Sequence, residues 1–471
     1  MLRFVLIMTL IKNLVQGVRM RGTVSLSLLA SVLVLNATAA DDLVGMFSEG
    51  KVSGQFREFS ISRDYDGSPT YTRSANTLGG YIKYETGAWN GLSLGAAAYA
   101  TIGFHLEDRT DWKQVDPTLL GSHNENDIYL GEAYLQYKYA NTTFKAGRQK
   151  LDTPMAGSDD ARMLPNLFEA YVLTNTDVKD TTLIAAHVTK FAAGTFANAY
   201  NIPSSGSAAA IASGQALALT SGYSGVTDGT AYVGQFEDMG KYAIGDSTGG
   251  VSVAAAVYTG IPGLKLQLWD YYAHDILNAV YAEANYGWAY ASGIAPYVGA
   301  QWINERDVGS NNVIDKVESD FIAAKVGVKV ANFDIYAAVS QNSKDSSAAV
   351  NGGTISPWGG MPAYTQGMVT RHQFMAGTDA WKVAGSYNWK DMGINLNTGV
   401  YYASFDMDEL NGYSDGHAWT ATESGFDIIF VPETIKKLQL RFRGNFPRDF
   451  KETATTHTDW NEYRFIANYN F

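Results

Sequence analysis

The sequence predicts one all-β architecture, an 18-stranded antiparallel transmembrane β-barrel over residues 41–471, behind a removable leader at 1–40. Three observations carry that prediction. Apolar residues alternate with small or polar ones in segments of about ten residues from Lys51 to the last residue. The connections between segments alternate between short and long. Charged residues are scarce at 17% and aromatics plentiful at 13%, yet the mean hydropathy is −0.13. That last value excludes a bundle of membrane helices, each of which needs about 20 consecutive apolar residues. The absence of Cys removes disulfide frameworks, thiolate metal sites and Cys nucleophiles together.

The leader comes first. Arg3, Lys12, Arg19 and Arg21 occur without a single acid, then the apolar run Val24 to Leu35 ends in Ala37-Thr38-Ala39-Ala40. This reads as a secretory signal peptide cleaved near Ala39 or Ala40, because the apolar run is too short to span a bilayer. Its loss leaves 31 basic against 47 acidic residues, a formal charge of −16. A chain so acidic is not expected to bind nucleic acid.

The strands follow. Leu92 to Glu107 alternates best: Leu92, Leu94, Ala96, Ala98, Ala100, Ile102, Phe104 and Leu106 form an apolar row, and the intervening residues are mostly small or polar. Leu264 to His274, Ile294 to Glu305, Ser319 to Val330, Trp381 to Trp389, Ile394 to Phe405 and Leu438 to Phe446 behave alike. A soluble β-sandwich would also alternate. Aromatics at strand ends (Trp381, Trp389, Tyr401, Tyr402) and an aromatic final row favour the barrel.

Both ends of such a barrel lie on the periplasmic side, so the strand number is even. Periplasmic turns are expected at Gly87 to Gly91, Ala140-Asn141, Asp177 to Asp180, Thr259 to Gly263, Ala289 to Gly293, Ala331-Asn332, Lys390 to Gly393 and Pro432 to Lys437. Parity holds only if the weak strand near Thr230 to Asp238 is left out and the stretch from Phe191 to Gly250 is one outer loop, rich in Ala, Ser and Gly. Eighteen strands enclose an aqueous lumen.

Three stretches resemble the OprD-like family of substrate-selective outer-membrane porins: Ser48-Glu49-Gly50-Lys51-Val52-Ser53-Gly54; Ala146-Gly147-Arg148-Gln149 running into Leu151-Asp152-Thr153-Pro154; and Arg162-Met163-Leu164-Pro165-Asn166-Leu167-Phe168-Glu169-Ala170-Tyr171. The likeness in layout spans the mature chain, and the motifs are concentrated in its first third. The resemblance implies an 18-stranded monomer or homotrimer in the outer membrane of a Gram-negative bacterium, with a third outer loop folded inward. It also implies passive uptake of small polar, often carboxylate-bearing, solutes. The acidic balance and the Ala-rich loop depart from the family pattern.

The candidate site residues fall into three groups. Gln149 to Leu167 is the third outer loop by parity and carries Asp152, Asp159, Asp160 and Arg162 between Pro154 and Pro165. Folded inward, opposed charges there would narrow the lumen and orient dipolar solutes. The residues alone leave a solvated rim loop as the alternative, and the resemblance turns the loop inward. A lumen-facing basic row is expected from Lys138, Lys382, Arg441, Arg443 and Arg464, since Leu438, Leu440 and Phe442 send Gln439, Arg441, Arg443 and Asn445 the other way. Such a row could hand an anion from site to site, as the family's basic ladder does. The alternative is pairing with Asp or Glu across strands. Tyr463, Tyr469 and Phe471 form an alternating aromatic end, the expected signal for the barrel-insertion machinery. Outer-membrane lipid, small polar solutes and ions are the other expected partners.

Asn351 to Arg371, with Pro357-Trp358-Gly359-Gly360-Met361-Pro362-Ala363-Tyr364, is another long outer connection, whose Gly and Pro content with Trp358 and Tyr364 suggests an ordered loop that could reach the lumen; packing on the barrel rim is the alternative of at least equal weight. Seven scattered His and the absence of a GxSxG elbow, a phosphate loop or a dinucleotide fingerprint point away from an outer-membrane lipase or protease, and no cofactor or metal is expected. A surface adhesin or receptor resting on the long loop would coexist with a channel.

Overall fold

Why the chain closes on itself follows from its solvent: in hydrocarbon every backbone N–H and C=O must be paired within the protein, and a sheet manages this only with no free edge. The computed structural model describes residues 40–66, 70–104, 111, 113–199, 232–288, 290, 293–309, 314, 316–414 and 416–471, with the backbone of 19–20, 202–203 and 226–227. The leader expected at 1–40 lies outside the described residues except for the backbone of 19–20 and for residue 40. So does most of the Ala-rich stretch of the long loop.

Eighteen antiparallel strands make the barrel. They are β1 (Lys51–Asp66), β2 (Tyr71–Glu85), β3 (Leu92–Gly103), β4 (Asp127–Tyr139), β5 (Thr142–Gln149), β6 (Leu167–Asn175), β7 (Thr181–Ala192), β8 (Val251–Tyr258) and β9 (Leu264–Ala273). The second half is β10 (Leu277–Gly287), β11 (Ile294–Asp307), β12 (Glu318–Val330), β13 (Phe333–Asn342), β14 (Asp379–Asn388), β15 (Leu396–Met407), β16 (Trp419–Phe430), β17 (Leu438–Arg448) and β18 (His457–Asn470). Each pairs with its neighbours in order, and β18 closes on β1, running from Asn470 against Gln55 to Asp459 against Asp66.

All eight expected tight turns connect strands at the periplasmic end. At Asn90-Gly91 both residues have positive φ (49° and 86°), the pair that matches a hairpin to strand twist. A Cβ on Gly91 would lie 2.2 Å from the Lys138 carbonyl oxygen, so no other residue fits. Among the described residues, Phe236–Asp238 pairs with Lys190 to Ala192 at the outer rim, and at three residues it does not span the barrel. A six-residue helix, α1 (Leu43–Ser48), precedes β1; its Asp42 cap accepts the Gly45 N–H at 2.6 Å.

Alternation sets the two faces. Leu94, Leu135, Leu173, Leu268, Trp302, Ile322, Val339, Val383, Val400, Phe442 and Phe465 are exposed on the outside, where they meet lipid. Two local departures matter. A bulge at Gly131, where β3 and β4 slip between Ala97 and Ala98, reverses parity, so Leu130 pairs with the outward Ala98 while Glu132 turns inward. Tyr401 faces the interior and is not a girdle residue, because its hydroxyl is engaged by Glu423.

The interior is not an empty tube. Leu119 from the second outer loop (104–126), Met163 and Leu164 from the third (150–166) and Val233 from the fourth (193–250) pack on Phe59, Ile61, Ala75, Ala97 and Tyr99 of the inner wall. On the opposite side Met155 and Ala156, Met239 and Tyr242, and Ile355, Trp358 and Phe374 of the seventh loop (343–378) cover Val251, Val253, Trp269, Tyr271 and Phe321. Burying this much apolar surface, at about 25 cal/mol per Å², holds these loops inside.

Candidate functional site

The third loop enters the barrel between β5 and β6. There it meets the seventh loop, which also folds inward and does not lie on the rim. Gly157 N–H donates to the Trp358 carbonyl (3.1 Å), Met361 N–H to the Pro154 carbonyl (2.6 Å) and Ser356 Oγ to the Met155 carbonyl (3.0 Å). Trp358 Nε1 donates in turn to the Met239 carbonyl (3.0 Å), tying in the fourth loop. Apolar side chains within a Gly/Pro-rich segment are what pull the seventh loop off the rim.

Each expected loop charge has a partner. Asp152 accepts from the Ser158 backbone N–H (3.2 Å) and hydroxyl, shaping the loop's own turn. Asp159 faces Arg371 of the seventh loop (3.3 Å), and burial pushes its carboxyl above the usual value against the pull of that guanidinium. Asp160 receives a bidentate pair from Arg57 of β1 (2.6 and 3.2 Å) and keeps a third of its side chain exposed. Arg162 points away from the lumen: it is 1% exposed and donates to Glu462 of β18 (3.2 Å) and Thr118 Oγ1 (3.1 Å). It therefore anchors the loop instead of lining the pore.

The basic row divides likewise. Arg441 is bonded bidentately to Asp427 of β16, and Arg443 lies 3.5 Å from the same carboxylate. Lys382 Nζ donates to the Gln366 carbonyl (2.6 Å) and lies 4.7 Å over the Tyr401 ring. Arg464 is not a rung: it is 1% exposed, bound to Glu462 and to Asn445 Oδ1 (3.0 Å). Glu462 is the centre of that cluster, since Arg63 also reaches it (2.6 Å) while pairing with Asp116 of the second loop (3.1 Å). Lys138 is exposed at the periplasmic end of β4, on a different wall from Arg441, Arg443 and Lys382.

Two cavities border the narrowed region. One of about 250 Å³ is lined by Arg57, Lys83, Lys145, Lys150, Glu132 and Asp160. The other, about 490 Å³, lies between Lys325, Lys382, Arg443, Asp427, Tyr364 and Tyr401. Arg57, Lys83, Lys145, Lys325 and Arg371 were not among the expected site residues. The first four sit on alternating strands, and their parity would have placed them inside. Arg371 had no such signal, because a loop has no parity.

A family model described as outer membrane porin, OprD family, matches residues 44–242 and 233–471. The chain belongs to the OprD family of outer-membrane porins. Solved structures from Pseudomonas aeruginosa share the fold of this OprD-family porin: OpdK with vanillate (14% identity, TM-score 0.69, covering 91% of this chain and 100% of that one) and OccK9, also called OpdG (18%, 0.68, 91% and 99%). OccK2, also called OpdF, in complex with glucuronate, is similar at 14% identity and TM-score 0.67, with 91% and 99% covered. No curated protein matches the chain. As in its family, the lumen of this outer-membrane porin is the functional site, and its members are channels.

Proposed function

We propose that this porin conducts small solutes bearing a carboxylate, such as amino acids, short peptides or sugar acids. The observation that carries the reading is the arrangement of Arg441 and Arg443 around the single Asp427 on an inner wall. Two guanidiniums sharing one carboxylate leave one positive charge, which a passing carboxylate can take up in exchange for Asp427. Each contact is then weak enough to release, as conduction requires. Lys325 and Lys382 extend the positive wall, and Arg57, Lys83 and Lys145 face the other cavity. Vanillate and glucuronate, found with the two relatives, are both carboxylates.

The test is liposome swelling with the Arg441→Ala, Arg443→Ala double variant. Uptake of carboxylate solutes should fall about tenfold, the loss of roughly 1.4 kcal/mol expected for a charge-assisted contact. Neutral sugar uptake should stay near that of the unaltered porin. Equal losses of both fluxes, or no change in either, would make these arginines structural.

A further inference from the structure

The outward face of β7 to β9 carries a polar cluster near the outer end that the channel does not use. His187 Nδ1 lies 3.1 Å from Ser252 Oγ, and Ser252 Oγ lies 2.9 Å from His274 Nε2, so the three form one hydrogen-bonded chain. Strand register puts Tyr171, His187, Ser252 and Tyr272 in one row. Their neighbours Ala186, Val188, Val251, Val253 and Tyr271 face the barrel interior, which turns this row toward the bilayer. The tyrosines bracketing the row are 53% and 40% exposed, as at a membrane interface.

Above and below, the surface is graded. On the next outward row toward the outer end, Arg148 and Lys190 each lie 3.6 Å from Glu169, with Asp238 opposite Lys190 in the strand register. Toward the middle of the membrane come Leu173 and Ala185, then Leu183 and Leu268, with Leu173, Leu183 and Leu268 exposed. Asp270, at the β9 edge of the lower row, is held by Asn278 Nδ2 at 2.7 Å.

From this arrangement we infer that His187, Ser252 and His274 bind the phosphate head group of an outer-leaflet lipid, its acyl chains lying over Leu173, Leu183 and Leu268. Tautomer arithmetic supplies the donor. A ring that accepts from the Ser252 hydroxyl must, when neutral, carry its proton on the far nitrogen, so one N–H stays free for an acceptor oxygen. Arg148 and Lys190 add charge-assisted donors. Polar side chains facing hydrocarbon are costly without a partner. The bilayer-facing direction and the apolar rows beneath select a lipid over free phosphate.

The experiment is native mass spectrometry of the purified full-length barrel with diphosphoryl lipid A as the probe. The unaltered porin should retain the lipid, and dephosphorylated lipid A should be retained about tenfold less, the weight of one hydrogen bond to a charged group. His187→Gln with His274→Gln, and separately Ser252→Ala, should lower lipid A retention to a similar degree. Ser252→Ala alone decides if the double variant fails to fold, judged by heat-modifiable mobility. His417→Gln with His457→Gln should retain lipid A like the unaltered porin. Equal retention of phosphorylated and dephosphorylated lipid, or unchanged retention in the variants, overturns the proposal. Binding of inorganic phosphate without retention of lipid A overturns it as well.

Discussion

Glu423 on β16 ties the seventh loop to the wall, and its removal should loosen that loop. The carboxylate is fully buried and accepts the backbone N–H groups of Met368 (2.6 Å), Val369 (3.3 Å) and Thr370 (2.8 Å), together with the Tyr401 hydroxyl. The fit is close: a Cβ on Gly367 would come within 2.7 Å of Glu423 Oε2. Hydrogen bonds to a charged group contribute about 1.5–3 kcal/mol each, and desolvating the carboxylate costs several kcal/mol. The net hold is then about 2–4 kcal/mol, so Glu423→Ala should raise the ratio of detached to docked loop roughly 30- to 700-fold. Single-channel recording in planar bilayers is the assay. The unaltered porin should give steady current steps, and the variant should show added flicker or larger steps, while Glu423→Gln, which keeps one of the two acceptor oxygens, falls between. A variant with the same step size and the same noise as the unaltered porin would refute the reasoning.

Further expectations concern the third loop, acid and assembly. Asp159→Asn with Asp160→Asn leaves Arg371 and Arg57 without their carboxylates, so bilayer reversal potentials should shift toward anion selectivity more than for Asp64→Asn with Asp66→Asn; equal shifts would place the third-loop carboxylates outside the ion path. His372, buried against Phe405, Tyr413 and Phe450 with Nε2 2.6 Å from the Phe450 carbonyl oxygen, is held down to about 4 by burial. Its folded value lies below the unfolded one, so the stabilisation is complete above pH 6.5 and fades as pH falls toward 4, by about 3 kcal/mol in all. Proteolysis of the seventh loop should accelerate over that interval in the unaltered porin and not in His372→Phe. Deleting Phe471, whose ring stacks on Phe56 at 5.2 Å and whose backbone closes on Gly54, should leave the chain degraded or stranded in the periplasm. Normal heat-modifiable barrel in the outer membrane would refute a role for Tyr463, Tyr469 and Phe471 in insertion.

The strand number, the eight periplasmic turns and the inward or outward direction of most strand residues were determined by the sequence alone. The reason is that period-two alternation is local: Leu438, Leu440 and Phe442 fix where Arg441 and Arg443 point without reference to any other strand. Parity likewise placed the third loop between β5 and β6. Tertiary structure decided which charges meet. Arg162 and Glu462 are 300 residues apart, and only closure of β18 onto β1 brings Glu462 beside Arg63, Arg464 and the third loop. Once buried, a charge must find its opposite, so Arg162 and Arg464 became anchors while Arg441 and Arg443, sharing one aspartate, remained at the lumen. The seventh loop turned inward for a similar reason, because Ile355, Trp358 and Phe374 are buried against the apolar wall of β8 to β12, a surface that exists only when those strands are assembled. Alternation tells each side chain its side of the wall; which partner it finds there is settled by strands and loops far apart in the chain.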